Sequence, residues 1–245
     1  GVSRDELVGT IPASKRTIKR TLDGFRDRGW IVEDDAIKLS VSGDFILDAY
    51  ESFVRRVDLV EELRPFLSQI PEGECYAGPE EFEDATVVEM DAAYPFAIIE
   101  YVLDRYREAT ERANVLLTYV SIGILDQMAS VAENQDVDLT VVMDTHVRDA
   151  LERTQIHDHT VGNKSDFADR YAVDESFPFS CAIIDDTAIL TITNDEGLPT
   201  IVLRSTNPDF VSIIEERFQH VLERAEPITF DDGNDGTGPE ELTSE

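Results

Sequence analysis

The strongest constraint on this chain is a change in apolar period near its middle. Between Thr86 and Arg153, segments that read as strands (86–90, 115–121, 137–143) alternate with segments that read as helices (94–113, 124–133, 146–153). Parallel strands need crossover connections, usually helices, so this alternation predicts a parallel α/β layer. Four further strand-like runs follow, at 170–173, 179–184, 188–193 and 200–204. They are joined by turns at Asp185-Asp186 and between Asn194 and Pro199, which predicts antiparallel hairpins and therefore a mixed sheet. A last amphipathic helix over 208–224 has Asn207 as its cap and Phe210, Ile214 and Phe218 on its core face.

The first seventy residues follow another plan. Ser3 and Glu6 form a capping-box pattern before a short helix. After a loop at 9–13, a second helix starts near Ser14 and stops before Gly29. Its Ile18, Leu22 and Phe25 fall within about 60° on a helical wheel and form the predicted buried stripe. Two short strands, 30–32 and 36–39, flank the turn Glu33-Asp34-Asp35. Helix, turn, helix, hairpin is the order of a winged helix-turn-helix, whose usual first helix is expected before Ser3. From 43 to 67, Ile46, Ala49, Phe53, Val57, Val60, Leu63 and Leu67 recur every three or four residues, with a bend expected at Pro65. That helix is expected to form the seam of a homodimer.

The predicted fold class is α/β, with an N-terminal winged helix-turn-helix joined by a long helix to an α/β domain with a mixed parallel and antiparallel sheet. The expected divisions are 1–42 for the winged helix and 43–70 for the connecting helix. An effector-sensing domain over 71–228 and an acidic, disordered tail over 229–245 complete the chain.

Charge separates the two halves. The chain carries 52 Asp and Glu against 21 Lys and Arg, a net charge of −31. Residues 1–30 run against this, with seven basic residues (Arg4, Lys15, Arg16, Lys19, Arg20, Arg26, Arg28) and four acidic ones. A basic island in so acidic a chain asks for a polyanionic partner. The carboxylate coat and the scarcity of lysine suit a cytoplasmic protein of a halophile, where concentrated salt screens self-repulsion. Cys75 and Cys181 form no metal-binding or redox motif, and no calcium loop of the D-x-D-x-D-G type is present. No apolar run is long enough to span a membrane.

With this order in place, the chain resembles the archaeal methanogenesis-regulator family and its haloarchaeal relatives. The resemblance rests on SRDELVGTIPASKRTIKRTLDGFRDRGWI, ATVVEMDAAYPFAIIEYVLDRYREA and SFPFSCAIIDDTAILTITND, and extends to about Pro227. It implies a DNA-binding winged helix followed by a degenerate relative of the phospholipase D fold. Enzymes of that fold carry H-x-K-x-x-x-x-D. Here His146 is followed by Val147-Arg148, His157 by Asp158-His159 and His220 by Val221-Leu222, so the resemblance implies binding without hydrolysis.

The candidate DNA-contacting residues are Ser14, Lys15, Arg16, Thr17, Lys19 and Arg20 on the second helix and Lys38 on the hairpin. Arg16 and Arg20, one turn apart, can reach guanine O6 and N7 from a helix in the major groove. No catalytic residue, cofactor or metal is expected, and His157-Asp158-His159 reads as surface. The expected partners are double-stranded DNA, a second copy of the chain and a small metabolite. Open α/β sheets bind ligands beyond the C-terminal strand ends, which nominates Tyr94, Ser121, Asp144 and Phe177. Two other readings stay open: a phosphate-ester enzyme of phospholipase D type targeted by the helix-turn-helix, and a regulator whose second domain binds only protein.

Overall fold

The computed structural model describes residues 1–74, 77–91, 93–94, 96–120, 122–135, 137–154, 168–194 and 197–228. They divide into two units, Gly1–Glu61 and Glu62–Glu245.

In the first unit, α1 (Arg4–Thr10) begins with the capping box expected at Ser3 and Glu6. The chain turns into α2 (Lys15–Asp27), where the Ser14 hydroxyl accepts the Thr17 amide. Gly29, at φ 70°, ends that helix in a Schellman arrangement: its amide donates to the Arg26 carbonyl and the Trp30 amide to the Phe25 carbonyl. Strands β1 (Ile31–Glu33) and β2 (Ile37–Leu39) then pair antiparallel, and Val2 bridges to Ile37 on the free side of β2. Ile18, Leu22, Ile31 and Ile37 make the small core. Phe25, expected in the buried stripe, is instead 37% exposed and leans on Trp30, with ring centroids 5.5 Å apart. The core is narrower than the wheel implies because only two turns of α2 face it.

Helix α3 (Val41–Leu67) runs through Pro65 and crosses the boundary between the units. Pro65 lies in the last turn and has no amide to donate to the Glu61 carbonyl. Up to Glu61 the only buried position of α3 is Gly43, whereas Leu63 and Phe66 in its last turns are fully buried.

The second unit is built on an eight-stranded sheet in the order β10-β6-β5-β4-β7-β8-β9-β3. Strands β4 (Arg112–Leu117), β5 (Asp138–Met143) and β6 (Asp169–Ala172) are parallel, as the alternation requires. Strands β7 (Ser180–Ile184), β8 (Thr187–Thr193) and β9 (Pro199–Ser205) continue it antiparallel, and β7 docks directly on β4. The edges are β3 (Thr86–Glu89) against β9 and the two-residue β10 (Glu226–Pro227) against β6.

Helices α4 (Ala97–Arg107), α5 (Ile122–Gln135) and α6 (Thr145–Thr154) contribute to one core with Val115, Leu117, Val141 and Ile184 of the sheet. The opposite face carries α7 (Pro208–Leu222), capped by Asn207. Its Ile214 and Phe218 share a small apolar hollow with Leu116 and Cys181. The helix expected over 94–113 starts three residues later, at Ala97, and ends six residues earlier, at Arg107, and β4 starts at Arg112. The 229–245 tail lies outside the described residues.

Candidate nucleic-acid interface

Of the seven basic residues in 1–30, three are engaged within the fold. Arg4 donates to Glu33 at 3.0 and 3.1 Å, and Arg26 pairs with both Asp23 and Glu33. Glu33 thereby ties α1, α2 and the hairpin together. Arg28 lies 5.5 Å from the centre of the Trp30 ring and donates to the Gly24 carbonyl. Exposed pairs of this kind each contribute little to stability.

The remaining four, Lys15, Arg16, Lys19 and Arg20, are exposed on the first two turns of α2. Among the described residues, no carboxylate lies within ion-pair distance of any of them, in a chain of net charge −31. Ile18 and Leu22 are buried on the other side, so the core fixes which way Arg16 and Arg20 point. Lys38, exposed on β2, adds a cation on the hairpin.

Ser14 and Thr17 are placed differently from the four cations. Their hydroxyls lie 2.9 Å apart in a hydrogen bond, and the Thr17 amide donates to Ser14 Oγ at 3.1 Å. Thr17 also lines an apolar groove of about 330 Å³ with Leu7, Ile11, Ile18, Phe25 and Leu39. These two residues build the start of the helix that carries the charges.

The four residues nominated for an effector site are only partly assembled. Asp144 follows β5, is 1% exposed, and caps α6 by accepting the Val147 amide at 2.9 Å. Burial pushes its carboxyl above the ordinary value, and the amides of Val147, His146 and Phe177 offset this only in part. Asp144 and Phe177 are thus neighbours. Tyr94 is half exposed and donates to Glu100, whose carboxylate holds the phenol above its usual range. Ser121 lies outside the described residues, as do Cys75 and His157-Asp158-His159.

Phe177 also borders a cleft of about 320 Å³ against α7, whose other walls include Pro178, Arg217, His220 and Arg224. Arg224 pairs with Glu175 at 3.1 Å and Arg217 with Glu74 at 3.6 Å. Sequence reasoning missed this cluster. Its signal was the spacing of 217, 220 and 224 on one helix face, in a segment of 184 residues with only eleven Lys and Arg. Among the described residues, no group of three or more His, Cys, Asp or Glu side chains is arranged to hold a metal ion. No helix among them is long and apolar enough to cross a membrane.

Residues 95–224 match the family described as the middle domain of the methanogenesis regulatory protein FilR1. Residues 1–62 match the HVO_A0261 N-terminal domain. No curated protein matches the chain in sequence. Among solved structures, the archaeal chromatin protein TrmBL2 is 12% identical with a TM-score of 0.46, over 93% of this chain and 88% of its own. Nuc from Salmonella typhimurium, a phospholipase D family member, is 13% identical with a TM-score of 0.47, over 60% of this chain and 100% of its own. NucT from Helicobacter pylori is 10% identical with a TM-score of 0.45, over 59% of this chain and 98% of its own. At such distances none of their properties transfers to this chain.

Proposed function

Because the chain belongs to the family of the methanogenesis regulatory protein FilR1 middle domain, we propose that it is a sequence-specific transcription regulator acting on double-stranded DNA in the cytoplasm of a halophilic archaeon. Residues 1–42 serve as a winged helix-turn-helix and α2 as its recognition helix. The observation that carries this reading is the set of four cations on α2, Lys15, Arg16, Lys19 and Arg20, left without acidic partners among the described residues.

Arg16 and Arg20 lie opposite the buried Ile18 and Leu22, where a helix in the major groove meets base edges. A planar guanidinium matches guanine O6 and N7 in a bidentate fashion. Lys15 and Lys19 neutralise phosphates, and Lys38 on the hairpin meets the backbone or the minor groove. Ser14 and Thr17 hold the start of α2 at the groove. The protein acts as a homodimer on two half-sites about one helical turn, or a multiple of it, apart.

The test is a footprint on promoter DNA at native salt with Arg16→Ala and Arg20→Ala. Each variant loses specific protection by a factor of about 5 to 160, from about 1–3 kcal/mol per bidentate contact, with an unchanged circular dichroism spectrum. An operator footprint indifferent to both substitutions would refute the assignment.

The second unit senses a small metabolite and does no chemistry on it. None of the four histidines begins an H-x-K-x-x-x-x-D motif. Support for an effector comes from the cleft bordered by Phe177, Arg217, His220 and Arg224. Its salt-bridged rim beside an apolar hollow suits a compact ligand that carries charge at one end. A metabolite panel that raises the melting temperature of the wild type and not of Arg217→Gln supports it; no response to any charged metabolite counts against it.

A further inference from the structure

Helix α3 leaves an apolar stripe uncovered along most of its length. Ile46, Tyr50, Phe53, Val57 and Val60 are between 44% and 63% exposed. Their spacings are four, three, four and three residues, the alternation of the d and a positions of a heptad over two repeats. The outward b and f positions Asp44, Asp48, Glu51, Arg55, Asp58 and Glu62 are all charged, whereas the c positions are Phe45, Ser52 and Leu59, with Phe45 71% exposed. A helix of this length with one charged face and one open apolar face draws its stability from a partner laid along the stripe.

We infer that the stripe of α3 pairs with the same stripe of a second copy as a parallel, two-stranded coiled coil over about residues 46–61. This rests on the homodimer reading above and assigns its surface and polarity. The argument for a second copy is charge complementarity. In this heptad frame Arg56 falls at g and Glu61 at e. In a parallel pair, each g residue faces the e residue five positions later on the other helix. Arg56 of each helix then meets Glu61 of its mate, twice by symmetry. In an antiparallel pair, g faces g and e faces e, and this match is lost. The other flanking positions along the seam, Leu47, Ala49 and Val54, are apolar and widen it.

Parallel pairing sends both chains out of the seam in the same direction, so the two recognition helices emerge at one end, as two half-sites on one DNA segment require. Leu63 and Phe66, one and two turns beyond Val60, are buried in the second unit. The seam therefore ends where the helix enters that core.

This 245-residue chain gives, by light scattering, twice its own mass of 27.5 kDa. Phe53→Asp converts it to the single-chain mass with its circular dichroism spectrum intact. Arg56→Glu and Glu61→Arg each raise the dimer dissociation constant severalfold, and the double exchange restores it. Tyr50→Cys, at a position that meets itself in a parallel in-register pair, gives a disulfide-linked dimer under mild oxidant where the wild type gives none. A monomeric wild type, or a Phe53→Asp variant that stays dimeric, overturns the seam. Charge exchanges without mutual rescue, or no Tyr50→Cys cross-link, overturn the parallel register. A monomer that still footprints a promoter through Arg16 and Arg20 leaves the regulator reading standing, and a firm dimer without promoter binding separates the two the other way.

Discussion

Asp185 sits in the turn between β7 and β8 at φ 52°, a conformation that Asp tolerates better than most residues. Its carboxylate accepts four hydrogen bonds, from the Thr110 amide and hydroxyl and from the amides of Glu111 and Arg112, at 2.9–3.1 Å. Burial pushes its pKa up, but these donors outweigh burial and hold it below the usual carboxylate range. Asp84 behaves likewise: burial raises it, and donors from Ser205, Thr206 and Asn207 bring it down. A carboxylate lowered in the folded state adds stability above its unfolded pKa and loses it as the pH falls through the folded value. Acid titration of the wild type should therefore show stability falling below the ordinary carboxylate range. In Asp185→Ala that component of the acid loss is smaller, and stability at neutral pH drops by about 2–3 kcal/mol, in line with bonds to a charged acceptor. Urea unfolding at several pH values checks both. Gly43 makes a second residue-scale prediction. A Cβ there would sit 2.0 Å from the Trp30 carbonyl oxygen, so Gly43→Ala forces α3 off the end of the hairpin. The expected cost is about 1–3 kcal/mol in chemical denaturation.

At the level of elements, the local signals were legible and the long-range ones were not. Ser3, Ser14, Asn207 and Gly29 each mark a helix end by chemistry confined to a few neighbours, and each is a cap or stop in the structure. Ser14→Ala removes the acceptor for the Thr17 amide and should lower stability by about 1 kcal/mol, read as a shift in urea midpoint. The end of α4 was missed because no Gly or Pro marks it. What turns 110–112 from helix to strand is Asp185, more than seventy residues later. The two-residue β10 has too little sequence to carry a pattern and exists because β6 offers it an open edge. On α2, the exposure of Arg16 and Arg20 opposite the buried Ile18 and Leu22 followed from the wheel. That Arg4, Arg26 and Arg28 would be occupied by Glu33, Asp23 and Trp30 did not, since those contacts depend on how the hairpin folds back on α2.

Across the whole molecule, charge is divided very unequally. Residues 1–61 hold ten basic and twelve acidic side chains, a net −2, whereas 62–245 hold eleven and forty, a net −29. Self-repulsion therefore falls almost wholly on the second unit, and salt at molar concentration, with a Debye length of about 3 Å, relieves it there. The single tryptophan, Trp30, reports on the first unit alone. Raising KCl from 0.1 to about 2 M should lift the thermal midpoint seen by far-ultraviolet dichroism, dominated by the second unit, by more than the midpoint seen by Trp30 fluorescence. Equal shifts by both probes would contradict it. The order of strands also sets an order in time. Every contact of the first core joins residues within the first 39 positions, so it can form as soon as they leave the ribosome. The sheet cannot: β3 waits for β9, its Thr86 opposite Arg204, and β6 waits for Glu226 to cover its edge. Pairings so far apart in sequence are slow to form. During synthesis, the small core of the first unit can therefore form while the larger, more acidic unit is still an open chain.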